Sequence, residues 1–197
     1  MPIGSLVLQG VLLDGSGMNR EVHVPFCERL LGRFRRSTHL TAIPELLALL
    51  DMTGCLISID AMGCQTDIAA QIVDHGGDYL LAVKGNQETL HRAVREAMAP
   101  LAREGSHQAT IEQSRGRTEL REYHVMPAGE MVKQFPTWKG LNTLGVAIGY
   151  RRDSKGNESL EYRYYISSAA LTEEQFAKAV RGHWGIESVP QAHKFAA

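Results

Sequence analysis

No stretch of the sequence approaches the roughly 20 consecutive apolar residues that a membrane-spanning helix requires, and the opening MPIGSLVLQGVLLDGSG lacks the basic lead of a secretory signal. A soluble protein of the cytoplasm, with no membrane partner, is the expectation. Cysteine is scarce as well. Cys27, Cys55 and Cys64 form no CxxC pair, which argues against a disulfide scaffold and a cysteine-rich zinc site and fits a reducing compartment. An excess of one charge is also missing. The 21 Lys and Arg against 22 Asp and Glu leave a formal charge of -1, so any contact with nucleic acid has to come from local patches. There is no HExxH zinc signature, internal repeat, heptad array or low-complexity tract.

What is present is a chain of 197 residues, 44% hydrophobic, enough for one sizeable core. Up to about residue 40 the pattern is irregular. From there AIPELLALLD has apolar residues at helical spacing behind Pro44 and predicts a helix ending near Gly54. CLISIDAM is too short for an independent helix and predicts a buried strand over Leu56 to Ala61 with Asp60 at its carboxyl end. QTDIAAQIVDHGG predicts a helix, and DYLLAVKGN a second strand ending at Lys84. Strand, helix and strand in so few residues make a βαβ unit, whose functional groups gather at the carboxyl ends of the strands. A charged helix over Gln87 to Ala99 follows. A hairpin turning at Arg115-Gly116-Arg117 comes next, then a strand pair over Leu144 to Arg151 and Leu160 to Ser167. A final helix opens at Thr172.

Asp60 is a carboxylate at a strand tip with little nearby to neutralise it, which suits a metal ligand; it equally suits a cap for the next turn. Lys84, Asn86 and Gln87 at the neighbouring tip give a cation and two amides suited to gripping a phosphate or orienting a carboxylate, or simply make a solvated turn and helix start. Arg181, His183, Trp184 and Glu187 lie at helical spacings. Two-metal phosphoryl transfer needs several carboxylates converging from separate elements. Asp60 and Glu187, 187 − 60 = 127 positions apart, come from the right element types. Arg115, Arg117 and Arg121 alternate along the hairpin and can track a phosphate backbone or merely cover a wet strand face. Met62 and Met98 read as core fillers.

Taken together, TAIPELLALLD, ISIDAMGCQTDIA, GGDYLLAVKGNQETLH, RGRTELREYHV, YRYYISS and FAKAVRGHWGIES closely resemble the bacterial H-repeat-associated insertion-sequence transposases, which are of the DDE type, from about residue 40 to residue 188. The resemblance implies an α/β, ribonuclease-H-like catalytic domain over 40–188, with a β-rich insertion at about 105–168. Residues 1–39 are then an irregular or rearranged segment, and 189–197 a tail foreign to the family. It implies metal-dependent DNA cleavage and strand transfer with Mg²⁺ or Mn²⁺. Asp60 matches the second aspartate of the triad and Glu187 the final glutamate. DNA, as transposon ends and target, is the implied partner, with a homo-oligomer also in view. Lys84, Asn86, Arg115, Arg117, Arg121, Arg181 and His183 are the candidate DNA contacts. The sequence departs from the family in having Arg115 where His is usual, and in lacking a string like Ile-Asp-Gly-Lys-Thr for the first aspartate. Asp14, in LLDGSG, is the available substitute, 60 − 14 = 46 positions before Asp60. An incomplete domain with impaired activity is therefore expected, the alternative being a non-catalytic module that binds DNA or a subunit.

Overall fold

The computed structural model describes residues 9–12, 21–23, 43–44, 47–104, 109–114 and 117–185. Its strands are β1 (Gln9–Leu12), β2 (Glu21–His23), β3 (Cys55–Ile59), β4 (Asp78–Val83), β5 (Thr110–Ser114), β6 (Arg117–Pro127), β7 (Thr143–Arg152) and β8 (Glu158–Ser167). Its helices are α1 (Thr66–Asp74), α2 (Glu88–Met98), α3 (Leu101–Glu104), α4 (Met131–Gln134) and α5 (Glu173–Gly185). Among the described residues the strands form a single mixed sheet in the order β2-β1-β3-β4-β8-β7-β6-β5. The pair β3 and β4 is parallel, as a crossover through α1 demands, and the other neighbours are antiparallel.

Alternation along the strands sorts the core onto two faces. Ile57, Ile59, Tyr79, Leu81, Val83, Val146 and Ile166 pack against Ile68 and Ile72 of α1 and Leu90, Val94 and Met98 of α2. Leu56, Leu80, Ala82, Tyr123, Ala147 and Tyr165 face the other way, onto Phe176, Ala177 and Val180 of α5. Helix α5 starts with a reciprocal cap: the Thr172 hydroxyl accepts from Gln175 N at 3.2 Å, and the Gln175 side chain accepts from Thr172 N at 3.0 Å. Phe176 then meets Tyr123 and Tyr165 edge-on, with ring centroids 6.1 and 5.3 Å away.

Three expectations need correction. The helix behind Pro44 does not reach Gly54; residues 47–50 pass from helix into turn and bend. The Asp51 carboxylate captures Thr53 N at 3.1 Å, and Gly54 takes a positive φ of 69°, so the backbone is committed to a turn before β3. The strand carrying Asp60 ends at Ile59, one residue before it. Met62 is no core filler: it is 57% exposed, because it rides on the turn beyond the strand, whereas Met98 is fully buried.

Gly145 leaves room for Phe176. A Cβ there would come within 2.7 Å of Phe176 Cζ, and that ring is wedged between two tyrosines. Gly145→Ala is expected to lower stability by about 1–3 kcal/mol, read as a lower urea midpoint; an unchanged midpoint would show that α5 can slide on the sheet.

Candidate functional site

Asp60 lies where β3 gives out, in extended conformation, and caps a single 3-10 turn over Ala61–Gly63 by accepting from Met62 N at 3.1 Å. The capping role raised by the sequence is therefore real. It also fixes the carboxylate at the carboxyl edge of the parallel pair. The turn is held from the neighbouring strand tip. Asn86 Nδ2 donates to the Ala61 carbonyl at 2.6 Å, and Gln87 Nε2 donates to the Cys64 carbonyl at 3.0 Å. Asn86 is thus engaged in bracing the Asp60 turn. Gly63 completes the fit, since a Cβ there would come within 2.3 Å of Ile59 Cγ2, a branched side chain with little freedom to yield.

On the α5 side, Ser58 Oγ and His183 Nδ1 lie 3.1 Å apart in a buried hydrogen bond. It ties the last turn of α5 to β3 two residues before Asp60. Ser58 was not among the residues singled out from the sequence. The signal for Ser58 was a hydroxyl in an otherwise apolar strand, where burial requires a partner. Arg181 is exposed, its guanidinium carbon 5.9 Å from the centre of the Tyr123 ring. Lys84 is exposed at the end of β4, and the Arg121 guanidinium bonds Glu119 at 2.5 Å. Lys84 and Asn86 therefore share the edge with Asp60, whereas Arg121 lies three strands from β4, on β6. Glu187, Arg115, Asp14 and the side chains of Arg117 and Trp184 lie outside the described residues. Strand β1, which precedes Asp14, is antiparallel to β3 and puts Leu12 opposite Cys55. Its chain direction leads away from the Asp60 end.

Asp60 is a hard oxygen donor of the kind Mg²⁺ and Mn²⁺ prefer. Among the described residues no three His, Cys, Asp or Glu side chains converge as a metal-binding group.

Cys64, at the end of the braced turn, is fully buried, and burial pushes its thiol up to about 12 from an ordinary 9.0. The raised value means that this stability contribution is fully present below pH 9.0 and is lost as the pH climbs toward 12. The urea midpoint is expected to fall across that window, less steeply in Cys64→Ala. Removing both braces in Asn86→Ala/Gln87→Ala costs about 1 kcal/mol per hydrogen bond, so labelling of Cys64 by a thiol reagent should quicken roughly tenfold or more. An unchanged rate would show that the two amides do not hold the turn.

Residues 28–194 match the protein family described as Transposase DDE domain. The chain is 46% identical over 162 residues to "Putative protein YbfL" of Escherichia coli strain K12, covering 78% of this chain and 43% of that protein. To the "H repeat-associated putative transposase YhhI" of the same strain it is 45% identical over 161 residues, 78% of this chain and 42% of that one. It is 41% identical over 185 residues to "Uncharacterized protein in dhlA 3'region" of Xanthobacter autotrophicus, 84% of this chain and 62% of that one. The chain spans less than half the length of the two Escherichia coli relatives. No solved structure matches it. The resemblance read from its strings is therefore correct, and the chain belongs to the Transposase DDE domain family.

Proposed function

We propose that this chain carries part of a ribonuclease-H-like catalytic domain for DNA transposition, acting by metal-dependent strand cleavage and transfer. The observation that carries the reading is Asp60: a carboxylate fixed at the carboxyl edge of a parallel strand pair, braced by Asn86 and Gln87, in a member of a DDE family. Transposases act on DNA, and this family generally uses divalent metals. Asp60 and Glu187 are the proposed ligands of Mg²⁺ or Mn²⁺. The ion, when bound, supplies charge that stabilises the reacting phosphate and acidifies water.

The chain's own groups do the positioning. Asn86 and Gln87 keep the Asp60 turn from moving, so the carboxylate meets its ligand with little reorganisation. The bond between His183 and Ser58 holds the end of α5 beside β3, and Glu187 follows His183 by four residues in the sequence. Lys84, on the same edge, offers a cation to a DNA phosphate.

Two measurements test this reading. Mn²⁺ should raise the melting temperature of the purified chain, and Asp60→Asn should abolish the rise. On supercoiled plasmid with Mn²⁺, the chain should nick and join strands weakly, since no first aspartate is identified, and Asp60→Asn should lose the activity. No thermal shift, together with equal background in both proteins, would refute catalysis and leave the non-catalytic module as the better account.

A further inference from the structure

The sheet face that α5 covers continues outward onto the projecting ends of β6, β7 and β8, where it turns from apolar to charged. The register sets the charges in rows. Val83 lies opposite Tyr164, and Ala147 lies opposite both Arg163 and Tyr123, so Lys84 at the end of β4 comes beside Arg163. In the next row Gly149 lies between Glu161 and Arg121; in the row after that Arg151 lies opposite Glu119. Alternation places all of them on the face of Tyr123, Ala147 and Tyr165. Rows on one face are about 7 Å apart along the strands, and the strands about 4.8 Å apart.

Among the described side chains of these rows, four cations, Lys84, Arg121, Arg151 and Arg163, surround Gly149 against two carboxylates, Glu119 and Glu161, a balance of 4 − 2 = +2 in a chain whose formal charge is -1. A Cβ at Gly149 would meet nothing within 4 Å, so the middle of the patch is open. The carboxylates hold the guanidiniums spread on the sheet. Glu161 accepts from Nε and Nη2 of Arg163, both at 2.8 Å, and Glu119 accepts from Arg151 Nε at 3.1 Å and Arg121 Nη2 at 2.5 Å. The Arg163 hydrogen bond foremost, with the charges of Arg163, Lys84 and Arg151, holds the Glu161 carboxyl below its ordinary range, which agrees with three cations gathered around one acid. The Arg151–Glu119 and Arg163–Glu161 hydrogen bonds are exposed, and exposed pairs contribute about 0–1 kcal/mol, so these two guanidiniums can turn to bidentate contact with phosphates at little cost.

We propose that this patch centred on Gly149 binds the phosphate backbone of DNA and leads it across β8 to Lys84 and the Asp60 edge. The inference rests on the reading that the chain acts on DNA, and adds Arg151 and Arg163 to the residues that would contact it. A backbone fits better than a small anion because the cations are spread over three strands beyond the tip of β4 and do not converge on one point. Their flat, open centre admits a repeating polyanion.

The test is fluorescence anisotropy of a fluorescein-labelled DNA duplex of arbitrary sequence, titrated with the full chain over a series of salt concentrations without divalent metal. Arg151→Gln/Arg163→Gln is expected to weaken binding roughly tenfold and to flatten the salt dependence by about 0.9 per lost phosphate contact. Gly149→Glu sets a carboxylate in the middle of the patch and should weaken binding similarly; its side chain enters open space, so it decides the matter even if the double variant fails to fold. Lys133→Gln/Lys139→Gln, which removes the same charge elsewhere, should keep the parent salt slope. Parental affinity and slope in folded Gly149→Glu and Arg151→Gln/Arg163→Gln would overturn the patch while leaving DNA binding intact. A parent chain that binds no DNA would overturn the patch together with the function on which it rests.

Discussion

The antiparallel seam between β4 and β8 joins the two halves of the sheet, and both the Asp60 edge and the arginine patch depend on it. On one side lie β1 to β4 with the parallel crossover; on the other lies the antiparallel run from β8 to β5. The seam is reinforced where it begins. Ser167 Oγ donates to the Tyr79 carbonyl at 2.6 Å, Ser168 N donates to the same carbonyl at 3.2 Å, and Ser168 Oγ accepts from Tyr79 N at 2.9 Å. These bonds are buried or partly buried, so a slip of register would leave polar groups unpaired at about 1–3 kcal/mol each. A one-residue slip would also turn every side chain of β8 to the opposite face. Arg163 would exchange places with Tyr164, and Tyr165 would leave Phe176.

From that fixed register the roles of the two faces follow. The α1 and α2 face is apolar along β3 and β4 and serves as the main core. The α5 face is apolar beneath the helix and charged beyond it. Helix α5 is positioned at both ends by specific contacts: Phe176 in the space left by Gly145, and His183 on Ser58. Its last described turn therefore arrives beside the strand that presents Asp60. Rigidity at this edge comes from side chains that never need to touch a substrate, since the Asn86 and Gln87 amides fasten one strand tip to the next.

Much of this was legible in the sequence. Apolar runs bounded by Gly, Asp and Asn marked β3 and β4, because a strand buried on both faces has no polar residues to spare. The Gly76-Gly77 pair marked the end of α1 and Thr172 the start of α5, each a local backbone signal. The helix behind Pro44 was overextended because apolar spacing continues through Leu50, while the turn is decided by one Asp51 side chain and the positive φ of Gly54. Met62 was misread because a methionine beside an apolar run gives no sign that the strand has already ended.

The sequence by itself determined the family, the αβ alternation and the candidate acid at the end of β3, because these are written in residues near one another along the chain. Only the tertiary structure decided that Asn86 and Gln87 brace the Asp60 turn, that Ser58 holds His183, and that Lys84, Arg163, Arg151 and Arg121 share one face. These partners are separated by tens of residues or more. Contact between them is set by strand register and helix packing, which are collective outcomes of burial and hydrogen bonding across the whole sheet and leave no mark in any short string.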